Sequence, residues 1–317
     1  MKECFENMNN YTFNLVNGKM EGQLEDKSIL KQRPETGIGS SFARDARRFV
    51  ANEELDTAIN TAIAVGEPLL VTGEPGTGKT QTAYYAAYKL NIEPVLHFQV
   101  KSDTTARDLL YHFDTVGYFH EANIRKDVSK LNKADYIAKN PFWLALEADE
   151  PRVMLIDEID KAPRDFPNDL LHELDQMEFN VPEIETTIKG KSENHPIVFI
   201  TSNSERRLPE PFLRRCVYHH IEFDRDLVRK AVFRRKDEYP ALNKEFLTMA
   251  IDRFLALRET ALRKYPATAE LLVWLRVLGL NANQYTQGLD EDLSKLPYLG
   301  ALIKDHQDRE DLKGRQY

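Results

Sequence analysis

Eight consecutive residues, Gly73-Glu74-Pro75-Gly76-Thr77-Gly78-Lys79-Thr80, carry the spacing G-x-x-x-x-G-K-T. Such a loop does chemistry only between a buried strand and a helix, and both flanks fit. The apolar run Leu69-Leu70-Val71 stops at Gly73, and Gln81 to Leu90 is compatible with a helix. Glycines let the backbone turn successive N–H groups inward at phosphate oxygens. The N-terminus of the helix adds the positive end of its dipole. Lys79 is expected to reach the β- and γ-phosphates and the Thr80 hydroxyl to ligate Mg²⁺. The expected nucleotide-binding set is Gly73, Gly76, Thr77, Gly78, Lys79, Thr80 and Gln81, joined by Asp157.

Asp157 and Glu158 end the run Val153-Met154-Leu155-Ile156. A run this apolar describes a strand buried on both faces, with its acids at the edge where open α/β sheets bind ligands. Carboxylates at a strand end also serve as plain helix caps. Paired with the phosphate loop, they read as a Mg²⁺ ligand (Asp157) and a group that polarises attacking water (Glu158). A second such strand, Pro196 to Ser202, ends at Asn203, a candidate contact for that water or for the γ-phosphate. Arg214 and Arg215 follow a short helix, and either can stabilise charge in a transition state or form a surface ion pair. His219 and His220 are adjacent in an alternating strand, so they face opposite ways and cannot share one ion.

Composition narrows the setting. The 317 residues include 42% hydrophobic and 30% charged positions, a soluble globular balance. Formal net charge is −8, which weighs against a surface adapted to nucleic acid as a whole. No apolar run approaches the ~20 residues of a membrane span, and the opening MKECFENMNN lacks the apolar centre of a signal peptide. Two cysteines, Cys4 and Cys216, provide neither a disulfide framework nor metal-ligand spacing, and a cytoplasmic protein is expected.

The elements that must position these residues follow in order. Residues 1–40 read as a flexible arm. A helical pattern from Ser41 precedes the first strand, and Pro94 to Val100 is a second. The polar stretch 111–140 is an insertion. Its Asn132-Lys133-Ala134-Asp135 imitates a guanine-reading N-K-x-D, but no apolar strand precedes it and it comes before the acidic strand, so a chance match is expected. A helix over Ala162–Phe179, a polar hairpin over Val181–Ser192 and an edge strand over Val217–Phe223 complete a five-stranded α/β core spanning 41–223. From 224 to 305 all segments are helical, a small lid domain, and 306–317 is a charged tail expected to fray.

Taken together these motifs resemble the AAA+ ATPases, specifically the MoxR branch, over roughly Arg47 to Leu280. GEPGTGKT resembles Walker A, LIDEID Walker B and ITSN sensor 1, while LPEPFLRRC is similar to the segment ending in an arginine finger. The resemblance implies a P-loop parallel sheet with a helical lid, and ATP with Mg²⁺ bound between subunits of a homo-oligomeric ring, expected to be a hexamer. It implies Arg215 as the finger, with Arg214 as alternate. It also implies chaperone-like remodelling of protein clients, among them proteins with von Willebrand factor A domains. One departure stands out: where the lid of this family usually carries a sensor-2 arginine, the sequence has Glu270, with Arg276 nearly two turns on. The alternatives are a nucleic-acid-acting motor or loader, which the acidic balance disfavours, and an ATP-gated switch with little turnover.

Overall fold

The computed structural model describes residues 38–124, 131–285 and 288–314. Most of the N-terminal arm lies outside them. Phe42–Glu222 forms one compact unit, and the residues from Phe223 onward belong to another.

Along the chain, α1 (Ile38–Ala46) and α2 (Glu53–Val65) lead into β1 (Leu69–Gly73) and α3 (Lys79–Leu90). Asn52 starts α2 by accepting the N–H of Leu55 at 2.9 Å, and Gly66 ends it in a left-handed conformation. Next come β2 (Leu96–Gln99), α4 (Ala106–Leu110), β3 (Tyr111–Phe113), α5 (Thr115–Ile124), β4 (Ile137–Lys139) and α6 (Pro141–Glu147). The unit closes with β5 (Val153–Asp157), α7 (Phe166–Gln176), β6 (Glu178–Val181), β7 (Thr186–Lys189), β8 (Ile197–Ser202), α8 (Glu210–Leu213) and β9 (Val217–Ile221).

Five strands form one parallel sheet in the order β2-β5-β8-β1-β9. Parallel strands covered on both faces need continuous apolar sequence, which is why β1 and β5 are buried along their whole length. One face packs Leu55, Ile59, Ala83 and Ala87 from α2 and α3 onto Leu69, Val71, Leu155 and Phe199. The other packs Leu109, Phe142, Leu170 and Phe212 onto Leu70, Met154, Ile156 and Ile200. Because the strands are parallel, their C-terminal tips meet at one edge, where Gln99 pairs with Asp157 and Thr72 with Ser202.

The insertion is a β3–β4 antiparallel hairpin that carries α5. Asn132 there accepts the N–H of Ala134 at 3.1 Å and starts a 3₁₀ turn over Lys133–Tyr136, an ordinary capping role. β6 and β7 form the second hairpin, beginning at Glu178 rather than Val181. α7 is shorter than the helical pattern over Ala162–Phe179 predicts. Pro163 keeps the preceding residues out of the helix, which starts at Phe166 with Pro167 in its first turn.

The second unit is helical: α9 (Arg225–Arg234), α10 (Lys244–Glu259), α11 (Thr268–Leu280), α12 (Leu299–Leu302) and α13 (His306–Gly314). Trp274 is fully buried among Tyr239, Phe254 and Leu278, and its indole N–H donates to the Pro297 carbonyl at 2.7 Å. The charged tail is not frayed over 306–314. Asp308 is 1% exposed and accepts the backbone N–H groups of Arg263 and Lys264 at 2.8 and 3.0 Å, and Leu312 is buried beside it. Two satisfied hydrogen bonds make the buried carboxylate tolerable, and the helix is held through it.

Candidate nucleotide site

The turn after β1 needs glycine at two places. Gly73 has φ +146°, and a Cβ there would lie 2.7 Å from the Ile221 carbonyl oxygen. Gly78 has φ +102°, and a Cβ would lie 2.9 Å from Cε2 of Phe49. Between them Thr77 Oγ1 donates to the Glu74 carbonyl at 2.8 Å and closes the loop. Lys79 opens α3, is 6% exposed, and donates from Nζ to the carbonyls of Gly73 and Glu74, both at 2.9 Å. Burial holds its pKa below the usual lysine value, against the opposing charges of Asp157, Asp160 and Glu158. A phosphate beside Nζ would offset the cost of that burial.

β5 brings its acids to this loop. Thr80 Oγ1 donates to Asp157 Oδ1 at 3.0 Å, and Thr201 Oγ1 from β8 donates to the same oxygen at 2.6 Å. His97 Nε2 from β2 lies 3.3 Å from Oδ2. Burial alone would raise the Asp157 pKa, but His97, Thr201 and Thr80 outweigh it and hold the carboxyl below its usual range. A hydroxyl and a carboxylate oxygen 3.0 Å apart are the hard donor set that suits Mg²⁺ beside a phosphate. Among the described residues there is no cluster of three or more His, Cys, Asp or Glu to cage a metal without such help.

Glu158 sits at φ +61°, ψ +51°, a left-handed conformation uncommon for a residue with a Cβ. Strain of this kind persists only where the surroundings hold it. Here Glu158 N–H donates to Thr201 Oγ1 at 2.8 Å. Its Oε1 accepts from Asn203 Nδ2 at 3.3 Å, and its Oε2 from Gln99 Nε2 at 2.7 Å and from Lys161 Nζ. Asp160, 3% exposed, accepts the N–H groups of Asn203 and Glu205 at 3.2 and 3.0 Å, tying the tip of β8 to the end of β5.

A buried lysine, a hydroxyl and two acids thus converge at the C-terminal edge of a parallel sheet, where a phosphate chain fits. Residues 68–216 match the family model described as AAA domain (dynein-related subfamily). The matched stretch takes in the loop after β1, the acids at the end of β5 and Asn203. Among curated proteins none matches the chain in sequence. A solved structure described as a "putative ATPase" from Cytophaga hutchinsonii is similar at 15% identity and a TM-score of 0.42, over 88% of this chain and 94% of that one. A likeness of that size carries no argument about function.

Lys79, Thr80, Asp157, Glu158 and Asn203 lie together at the C-terminal edge of the sheet. Gln81 does not turn toward the loop: it is 8% exposed, and its amide donates to the Phe42 carbonyl at 2.8 Å, tying α3 to α1. Arg214 and Arg215 follow α8, both exposed, and Arg215 Nε pairs with Asp175 of α7 at 3.0 Å. In the helical unit, the Glu270 carboxylate accepts the N–H of Ala267 at 3.1 Å, capping α11. Arg276 pairs with Glu238 at 2.9 Å. Sequence reasoning overlooked His97, Gln99, Thr201, Asp160 and Lys161. A polar residue at the tip of β2 was the available signal, since Gln99 ends an apolar strand as Asp157 and Asn203 do.

Proposed function

We propose that this chain is a MoxR-type AAA+ ATPase that hydrolyses ATP in a ring of identical subunits, expected to be six, and uses the cycle to remodel or assemble a protein client. The observation that carries the reading is the contact network joining Thr80, Asp157, Glu158 and Asn203 beside Lys79. Lys79 and the loop N–H groups bind the phosphates, and Glu158 orients water toward the γ-phosphorus with Asn203 beside it. Thr80 and Asp157 would hold Mg²⁺, which neutralises phosphate charge when bound. Arg215, exposed and pre-oriented by Asp175, is assigned to a neighbouring subunit's site, with Arg214 beside it as the alternative. A client with a von Willebrand factor A domain fits the branch, and the net charge of −8 favours a protein client over nucleic acid.

ATP turnover per subunit, measured across a wide range of protein concentration with sizing at each point, tests this reading. Turnover that climbs from near zero to a plateau as the chain assembles is expected. Flat turnover from a monomer would overturn the shared site. A second reading, an ATP-gated switch with little turnover, draws support from one feature: both carboxylate oxygens of Glu158 are already engaged.

A further inference from the structure

His97 belongs to none of the motifs, yet it lies under the metal-binding end of the site. It sits on β2 beside β5, with Cα register opposite Leu155. Its Nδ1 is 3.0 Å from the Tyr84 hydroxyl on α3. Burial first, and then the Asp157 charge, raise the Tyr84 pKa, so the phenol keeps its proton and can donate it to Nδ1. An imidazole that accepts at Nδ1 carries its own proton on Nε2. Phe42 stacks on Tyr84 with centroids 5.3 Å apart and meets the His97 ring edge-on at 6.5 Å, which fixes the plane of that ring.

The far nitrogen is the informative one. Nε2 is buried 3.3 Å from Asp157 Oδ2, makes no well-formed hydrogen bond, and has no partner other than that carboxylate. A core histidine with a purely packing role would have satisfied this nitrogen, because leaving a buried N–H unpaired is costly. The other carboxylate oxygen, Oδ1, faces Thr80 and Thr201. Tyr84, His97 and Asp157 therefore form a line that ends on the carboxylate that faces the loop.

We propose that His97 is a positioning residue for the divalent cation: its Nε2–H steadies Oδ2 of Asp157, so that Oδ1 stays turned toward Thr80. Carboxylates that serve metals are commonly oriented by such outer partners, and losing one costs about 10- to 100-fold in metal affinity. The inference rests on the nucleotide and Mg²⁺ reading above.

The test is equilibrium binding of a fluorescent ATP analogue to the full chain, titrated with MgCl₂ and repeated in EDTA. Wild type, His97→Leu, His97→Gln and Tyr84→Phe are compared, with thermal melting of each in the absence of nucleotide. His97→Leu is expected to raise the Mg²⁺ concentration for half-maximal tightening about tenfold or more, with affinity in EDTA unchanged. His97→Gln, which keeps an N–H donor near the position of Nε2, should recover most of the loss. Tyr84→Phe should shift the same curve by a smaller factor, and it keeps the question answerable if the leucine variant fails to fold. An unchanged Mg²⁺ midpoint in His97→Leu or in Tyr84→Phe, or an equal loss with and without metal, overturns the positioning role. Wild type that binds nucleotide without any Mg²⁺ dependence would overturn the metal reading itself and this inference with it.

Discussion

Lys161 Nζ donates to the same Oε2 of Glu158 that Gln99 holds at 2.7 Å. The residue assigned to activate water therefore carries an ion pair within its own turn. The pair is partly exposed, so it contributes less than about 1 kcal/mol to stability. Its effect on the base is more direct, because a cation on Oε2 withdraws charge that water would otherwise feel. Lys161→Met keeps the aliphatic stem and removes the charge. ATP turnover in this variant is expected to rise by about two- to fivefold, the equivalent of under ~1 kcal/mol of barrier, with the melting temperature unchanged. A fall in kcat would show instead that Lys161 orients Glu158 productively.

Glu158→Gln keeps the size and one acceptor but removes the base. Loss of a positioned base typically costs about 10²- to 10⁴-fold. Multiple-turnover kinetics should show a fall of that order, while nucleotide binding persists and ATP stays trapped. Normal turnover would sink the assignment.

Gly78→Ala meets two separate obstacles, a φ of +102° and a ring carbon of Phe49 at 2.9 Å. Together they are expected to cost about 1–3 kcal/mol and to abolish tight nucleotide binding. Adding Phe49→Ala removes the ring contact and leaves the backbone strain. Melting curves of the single and double variants, with and without ATP, separate the two, and partial rescue of stability without rescue of binding is expected.

Cys216 is packed after α8, and burial first, with the Glu67 charge second, pushes its thiol up to about 12. An unfolded thiol titrates near ~8.5. The native state therefore keeps its proton where the unfolded chain has lost it. The associated stability is fully present below ~8.5 and is lost as pH rises toward about 12. In a Cys4→Ser background, iodoacetamide at pH 8 should leave the folded protein unmodified and label it promptly in denaturant. Fast native labelling would refute the burial argument.

Much of the site was legible because its residues are consecutive. The spacing from Gly73 to Thr80 dictates a turn that only glycines can make, and the run before Asp157 dictates a strand buried on both faces. The hairpin within 111–140 was visible only as a polar insertion, and the one at 178–189 was expected with its start misplaced to Val181, because short exposed strands leave weak periodicity. α13 was misread for a related reason. Its charged sequence looks solvated, and nothing local reveals that Asp308 accepts two backbone N–H groups some 44 and 45 residues away in sequence.

The sequence by itself determined the Gly73–Thr80 turn, the two acids at a strand end and the alternation of strands and helices, since each follows from the types and spacing of near neighbours. Only the tertiary structure decided the strand order β2-β5-β8-β1-β9, and with it which polar side chains stand around Asp157 and Glu158. Gln99 and Glu158 are 59 residues apart in the chain and 2.7 Å apart in the fold. His97 reaches Asp157 across the same pair of strands. A hydrogen bond between side chains depends on ångström-scale placement, whereas hydrophobic periodicity records only which face of an element is buried.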